Sequence, residues 1–427
     1  MNHTKETFVT AFALFSLFFG AGNLILPPLL GFQSGALWWL VALGFCLSAV
    51  LIPIFGILAH AKLQGTIFDF GIKVSPFFSV VYCYLIYAIS ISLPSPRTAA
   101  VTHEMAIAPL FGTSPIMTSI IYFTLVFVFV MNRSKILDII GKFLTPAIIL
   151  ILVAIIGITL SSYDAVFGQT MFNNPFTDGI LEGYQTFDAI GAVVVGGVII
   201  VSINIKNRTE GYEAKKTLIR RAGWMAGLAL FLIYAGLIAT GAIMHGQFGA
   251  DISRTALLAG ISVKTLGSAA NLFLSILVGL ACFTTAVGIV TGTADFMKHR
   301  FANSQKAYRI TAVIGCILGV AMGQFDVGYI IAVALPALMF IYPITIILIL
   351  LNVVPEKLAS PKVFKTVILA TIIFSIPDFL VSIGLSEWIT GVQSYIPLSK
   401  FSMGWVLPAM VTFVLFNVPN KIRKRVQ

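Results

Sequence analysis

Apolar stretches of about 20 residues recur along the whole chain, separated by short polar turns. That length matches the thickness of a bilayer's hydrocarbon core crossed by an α-helix. The pattern predicts about twelve spans, roughly at 8–30, 36–61, 76–98, 115–132, 139–161, 180–204, 219–244, 266–294, 308–323, 327–353, 363–385 and 403–418. The segment around 99–111 is expected to continue the third helix beyond the membrane. The first run passes into Pro27-Pro28 without a cleavage pattern and reads as a retained span rather than a signal peptide. The longest connections, about 162–179 and 245–265, have room for a turn or a small gate.

Two spans carry interruptions that ordinary membrane helices avoid. The first contains "GAGN" (Gly20 to Asn23), followed by two prolines. The sixth reads "GILEGYQTFDAIGA" from Gly179 to Ala192. Glycine in a helix interior costs about 1 kcal/mol relative to alanine, and backbone freed in hydrocarbon persists only where protein buries it or water reaches it. Five spans separate the two breaks, so the interrupted helices run in opposite directions. This predicts one polytopic domain built from inverted five-helix repeats, about 8–161 and 180–353, with two further helices at about 363–418. Gly196-Gly197, Gly236 and Gly241 are expected to serve close helix packing instead.

Composition closes off other classes. Of 427 residues, 58% are hydrophobic and 10% charged, and the mean hydropathy is +0.99; soluble domains carry roughly 25% charged residues. The net charge of +11 is a matter of topology. With the spans above, almost every Lys and Arg falls on the side of the two termini. Only Arg254, Lys264 and Lys400 lie opposite, and Arg97 lies within a span. The positive-inside rule therefore places both termini in the cytoplasm, and no nucleic-acid partner is implied. Cys46, Cys83, Cys282 and Cys316 all sit in apolar segments, without disulfide or metal-pair spacing, and the five histidines are scattered. No HExxH or G-x-S-x-G motif points to an enzyme, no repeated filter sequence points to a channel, and no protein partner or organic cofactor is implied.

A helix split at mid-membrane presents carbonyls on its inner half, suited to a small cation, and N–H groups on its outer half, suited to a carboxylate. Asn23 is placed to cap the outer half. An amino acid together with Na+ is the natural pair of ligands. Asp188 and Arg97 are the ionisable residues that the membrane makes most expensive. Asp188 could face an ammonium, assist a cation or cap the inner half of the sixth helix. Arg97 could snorkel or tie loops through Glu104 or Glu182, and Asp378 is read as structural.

"FFGAGNLILPP" resembles the first helix of the bacterial branched-chain amino acid:cation symporters, the LIVCS family, and more distantly the "GLGN" break of LeuT-type sodium symporters. "PRTAAVTHE" (Pro96 to Glu104), "EGYQTFDAIGA" (Glu182 to Ala192) and "LACFTTAVG" (Leu280 to Gly288) extend the resemblance across the chain. It implies an all-α, LeuT-like fold with helices 1 and 6 unwound. It implies a Na+ site from the Ser16 and Phe19 carbonyls with Ala281, Thr284 and Thr285, oxygen ligands that suit a hard cation. Plain back-bonding of the two threonine hydroxyls is the competing reading. The substrate carboxylate would meet N–H groups around Ala21 and Gly22, between Gly20 and Asn23. Its ammonium would face helix 6 among Tyr184, Gln185, Thr186 and Asp188. Phe18, Phe187, Val287 and Ile289 are candidates for the apolar pocket, and Thr285 is placed in the substrate site as well as in the Na+ site. The implied function is import of leucine, isoleucine and valine across the bacterial plasma membrane with Na+, by alternating access. The alternative is proton-coupled transport of another small amino acid through Asp188.

Overall fold

A computed structural model describes residues 3–132, 136–194, 196–197 and 211–423, and these residues contain no strand. The inner end of the expected sixth span lies outside the described residues. So do Arg133, Lys135, Lys206 and Arg208 from the basic side.

The chain opens with α1 (His3–Phe18) and α2 (Ala21–Ser34), the two halves of the interrupted first span. The break falls at Phe19 and Gly20, so Ala21, Gly22 and Asn23 already belong to α2. Gly35 then reverses the chain at a φ of 52°, a left-handed conformation that costs glycine little. The second span follows as α3 (Trp38–Cys46), a π turn and α4 (Ile52–Leu63); the short α5 (Ile67–Gly71) lies beyond it. The third is α6 (Pro76–Ser92) and α7 (Pro94–Thr102), carried through a π turn at His103–Ile107 into α8 (Ala108–Phe111). This is the helical continuation expected over 99–111.

Next come α9 (Pro115–Met131), α10 (Ile136–Ser162) and α11 (Pro175–Tyr184). Residues 188–194, here α12, resume the sixth helix after its break. The second half continues through α13 (Tyr212–Ile243), α14 (Arg254–Leu266), α15 (Ser268–Arg300), α16 (Gln305–Gly323) and α17 (Val327–Val353). It ends with α18 (Pro361–Ser382), α19 (Thr390–Gln393) and α20 (Val406–Arg423). Among the described residues, eight helical stretches are long and apolar enough to cross a membrane. Pro115–Met131 and Val406–Asn417 are shorter apolar helices. The connection expected at 245–265 is more than a turn, since all but the last residue of α14 lies within it.

Packing sorts the helices into two groups. α2 packs on α13 and α11 on α3, while α15 and α16 pack on α7 and α9. α10 against α13 is matched by α17 against α4. Exchanging the first five expected spans with the second five maps each of these pairs onto its counterpart. The two interrupted helices make their contacts through glycine. A Cβ on Gly31 would strike the Ile238 carbonyl, and one on Gly241 would strike that of Pro28. In the counterpart pair, Gly44 meets the Phe176 carbonyl and Gly179 that of Val41. Backbone therefore lies on backbone at both crossings, which suits a membrane interior where dispersion, not the hydrophobic effect, holds helices together. Gly236 packs under Ile156 and Gly196 under His60, the packing roles expected of them.

Gly241→Val is expected to lower thermal stability by about 1–3 kcal/mol, the usual cost of overpacking. Gly157→Val on α10, where nothing lies within 4 Å of the new methyl, should leave it unchanged. Unfolding midpoints by scanning fluorimetry in detergent compare the two, and equal midpoints would contradict the close-contact account.

Candidate functional site

At the first break the backbone ladder is cut and retied tightly. Phe19 N donates to Phe15 O at 2.9 Å, but Gly20 N turns to Phe18 O at 3.0 Å and so leaves the Ser16 carbonyl out of the ladder. Gly20, extended at φ −92° and ψ 176°, is the N-cap of α2 and offers no side-chain cap. Asn23 therefore does not cap the outer half, as the sequence led us to expect. It stands three residues past the N-cap, within the first turn of α2, and its amide reaches back across the break to the Phe18 carbonyl.

The second break lies at Gln185, Thr186 and Phe187. Phe187 takes a φ of 62°, a left-handed conformation costing a non-glycine residue about 1–2 kcal/mol. The Thr186 hydroxyl donates to Gly183 O at 2.8 Å and accepts from Asp188 N at 3.3 Å, bridging the gap. Ala189 N donates to the Tyr342 hydroxyl at 3.2 Å, and the Tyr342 ring stacks on Tyr184 at 4.3 Å.

The two breaks meet at one carboxylate. Asn23 Nδ2 lies 2.8 and 3.0 Å from the oxygens of Asp188 and 2.7 Å from the Tyr234 hydroxyl, as well as against Phe18 O. Asn23, Asp188 and Tyr234 are all buried. An amide has two hydrogens to share among these four oxygens and the tyrosine hydroxyl brings one of its own. The hydrogen bonds recorded to the Asp188 carboxylate oxygens come from that one shared side-chain amide. Asp188 forms no ion pair among the described residues. A buried carboxylate in that condition is costly by several kcal/mol, and a cation or ammonium would relieve the cost.

Arg97 neither snorkels nor binds Glu104 or Glu182. It is buried, donates to the Gln185 carbonyl at 2.6 Å and lies over the Phe187 ring at 5.2 Å. A Cβ on Gly22 would run into its guanidinium. Arg97 thus pins the α2 start to the break after α11. The Gln185 side chain turns the other way, donating to Glu182 at 2.8 Å and accepting from Arg254 of α14 at 2.7 Å. Glu104 accepts from the Thr255 hydroxyl at 2.6 Å and from Val327 N at 2.9 Å, joining α14 to the start of α17.

The helix 8 candidates, on α15, make local contacts. Thr284 and Thr285 donate to Ala281 O at 3.0 and 2.9 Å, the back-bonding anticipated as their competing reading. Ser16 pairs instead with Thr145 of α10 at 2.8 Å. No recorded hydrogen bond among the described residues joins Ser16 or Phe19 to Thr284 or Thr285. Phe18, Phe19, Ala281 and Val287 share one buried apolar cluster, while Ile289 is half-buried. Gly20, Gly191, Gly288 and Gly292 have nothing within 4 Å of where a Cβ would stand, so the packing is open beside both breaks and the inner half of α15. Sequence reasoning missed Tyr234, Tyr342 and Arg254. Tyrosines usually mark membrane interfaces, and two in mid-span were a usable signal.

The chain matches the family model described as branched-chain amino acid transport protein over residues 3–423. It is 30% identical to the branched-chain amino acid transport system 2 carrier protein of Pseudomonas aeruginosa, over 99% of this chain and 98% of that protein. It is 31% identical to the branched-chain amino acid permease BraB of Bacillus subtilis, over 97% and 96%. Among solved structures it is similar to the inward facing conformation of Mhp1, a transporter of the LeuT-like fold. That likeness has a TM-score of 0.61 at 12% identity, covering 97% of this chain and 90% of that one, and it bears on the fold alone.

A double-mutant cycle tests the junction of the breaks. Asn23→Leu should destabilise the protein by about 1–3 kcal/mol, because a buried charged acceptor loses its donor. In the Asp188→Leu background the same change should cost much less, giving a coupling energy above about 1 kcal/mol in unfolding measurements. Additive effects would contradict the contact.

Proposed function

This chain belongs to the branched-chain amino acid transport protein family, and we propose that it imports leucine, isoleucine and valine together with Na+ by alternating access. The observation that carries the reading is the buried Asp188 carboxylate, unpaired among the described residues, beside the start of α2. A zwitterion spans that pair of features. Its carboxylate meets the first-turn N–H groups at Ala21 and Gly22, where the helix dipole is positive. Its ammonium meets Asp188 and the Phe18 carbonyl. Phe18, Phe187 and Val287 are apolar residues of the size that a branched aliphatic side chain needs beside them.

A neutral zwitterion gains nothing from the membrane voltage, whereas a co-transported Na+ contributes about 2.3 kcal/mol per 100 mV. The Ser16 and Ala281 carbonyls and the Thr284 and Thr285 hydroxyls supply the oxygen ligands that such an ion prefers. In this conformation the two hydroxyls are turned onto Ala281 O. Ion binding draws them toward the break of helix 1 and closes the inner path. Contacts on the far side support an outer path that is already shut: α14 is latched by Arg254 to Gln185 and by Thr255 to Glu104. Both termini lie in the cytoplasm on this reading, and the packing correspondence between the halves supports the inverted repeat.

Proton coupling is the second reading, favoured by the lack of an ion pair at Asp188. The two readings part in proteoliposomes. Leucine uptake should follow an inward Na+ gradient and fail under an equal K+ gradient with an imposed proton gradient. Thr285→Ala should raise the Na+ concentration for half-maximal uptake several-fold while sparing the fold. Uptake driven by protons without Na+ would transfer coupling to Asp188, and no accumulation under either gradient would sink the proposed substrate.

A further inference from the structure

Away from the breaks, two neighbouring cavities on the flank of α13 share Trp224 as a lining residue. The first, of about 450 Å³, is lined by Thr4, Thr7 and Phe8 of α1 and by Arg220, Arg221, Trp224 and Met225 of α13. The second, of about 340 Å³, is apolar and includes Leu47, Ile54, Trp224, Gly227, Leu228 and Phe231 in its walls. Trp224 belongs to both. The α13 residues 220/221, 224, 227/228 and 231 form a single stripe at helical spacing, so the cationic hollow and the apolar groove lie in line along one helix face with Trp224 between them. From Arg221 to Phe231 the stripe rises about 15 Å, comparable to one leaflet's hydrocarbon depth.

We infer that these neighbouring cavities bind one anionic phospholipid, with its phosphate between Arg220 and Arg221 and an acyl chain along Trp224, Gly227, Leu228 and Phe231. Neither arginine makes an ion pair among the described residues; the recorded ion pair in this helix joins Lys216 to Glu213, at 3.3 Å. Guanidinium groups match phosphate geometry and are weakly hydrated, and the Thr4 hydroxyl on α1 can donate to a remaining phosphate oxygen. Trp224 is 49% exposed and Phe8 59%, aromatics placed where headgroup meets hydrocarbon. The Trp224 ring also meets Phe55 edge-on, with ring centroids 6.2 Å apart, which holds it upright as the wall shared by head and tail. The bound headgroup would span α1, the inner half of the broken first helix, and α13. The lipid therefore braces the half-helix that stands free of the rest of its span.

Native mass spectrometry of the full-length protein in detergent tests the site, with titrations of phosphatidylglycerol, phosphatidylcholine, glycerol 3-phosphate and inorganic phosphate. Phosphatidylglycerol should be retained in preference to phosphatidylcholine. Arg220→Gln with Arg221→Gln should weaken that binding about thirtyfold, the weight of two cations at an anionic interface. Lys215→Gln with Lys216→Gln, which removes equal charge from the same helix outside the cavity, should leave it unchanged. Equal loss in the two variants would overturn the site, as would equal retention of the two lipids. Glycerol 3-phosphate or phosphate binding as tightly as phosphatidylglycerol would overturn the acyl-chain half of the proposal. Should the arginine variant fail to fold, the comparison of ligands on the unaltered protein decides alone.

Discussion

One buried carboxylate sets the terms for the rest of this molecule. Asp188 stands at the junction of two interrupted helices and is met there by the amide of Asn23, which also reaches the hydroxyl of Tyr234. A negative charge in a membrane interior is tolerated only with hydrogen bonds and a nearby positive centre. The protein supplies the first in part, and in the proposed function the substrate ammonium is the second. Both breaks follow from that need, because only unwound backbone brings the Phe18 carbonyl and the α2 N-terminus to the same place.

Holding two broken helices in register requires rigid neighbours. Glycine supplies them twice, at the α2–α13 and α11–α3 crossings, where main chains touch. Arg97 then fixes the breaks to one another through the Gln185 carbonyl and the Phe187 ring. A lysine would give the hydrogen bond but not the flat face that lies over the ring. The left-handed turn at Phe187 persists because that contact and the Tyr342 hydroxyl determine it from both sides. Further out, α14 is held to the break by Arg254 and to α17 through Glu104. A shift at the helix 6 break would thus be felt at α14.

The fold was largely legible in the sequence, because span length is a local property. The breaks were legible too, within a residue or two, since "GAGN" and "GYQTFDAIG" violate the composition of an ordinary span. The role of Asn23 was not. Capping is judged from near neighbours, and here contacts 165 and 211 positions away take the side chain instead. Tyr234 and Tyr342 stood out only as tyrosines in mid-span: their position marked them as unusual, but nothing adjacent in sequence told that they reach the helix breaks. The threonine pair on α15 shows a further difficulty. Hydroxyls that back-bond in one conformation can ligate in another, and a sequence carries no label for the state.

The most direct test of the account is equilibrium binding of leucine and of 4-methylpentanoate, its analogue lacking the ammonium, to the unaltered protein and to Asp188→Asn. If Asp188 is the counter-charge for the substrate ammonium, the substitution weakens leucine by at least about tenfold, in line with a charge-assisted hydrogen bond. It leaves 4-methylpentanoate unchanged or slightly stronger. Equal weakening of both ligands would contradict the account and make Asp188 a residue that holds the breaks together without meeting the substrate.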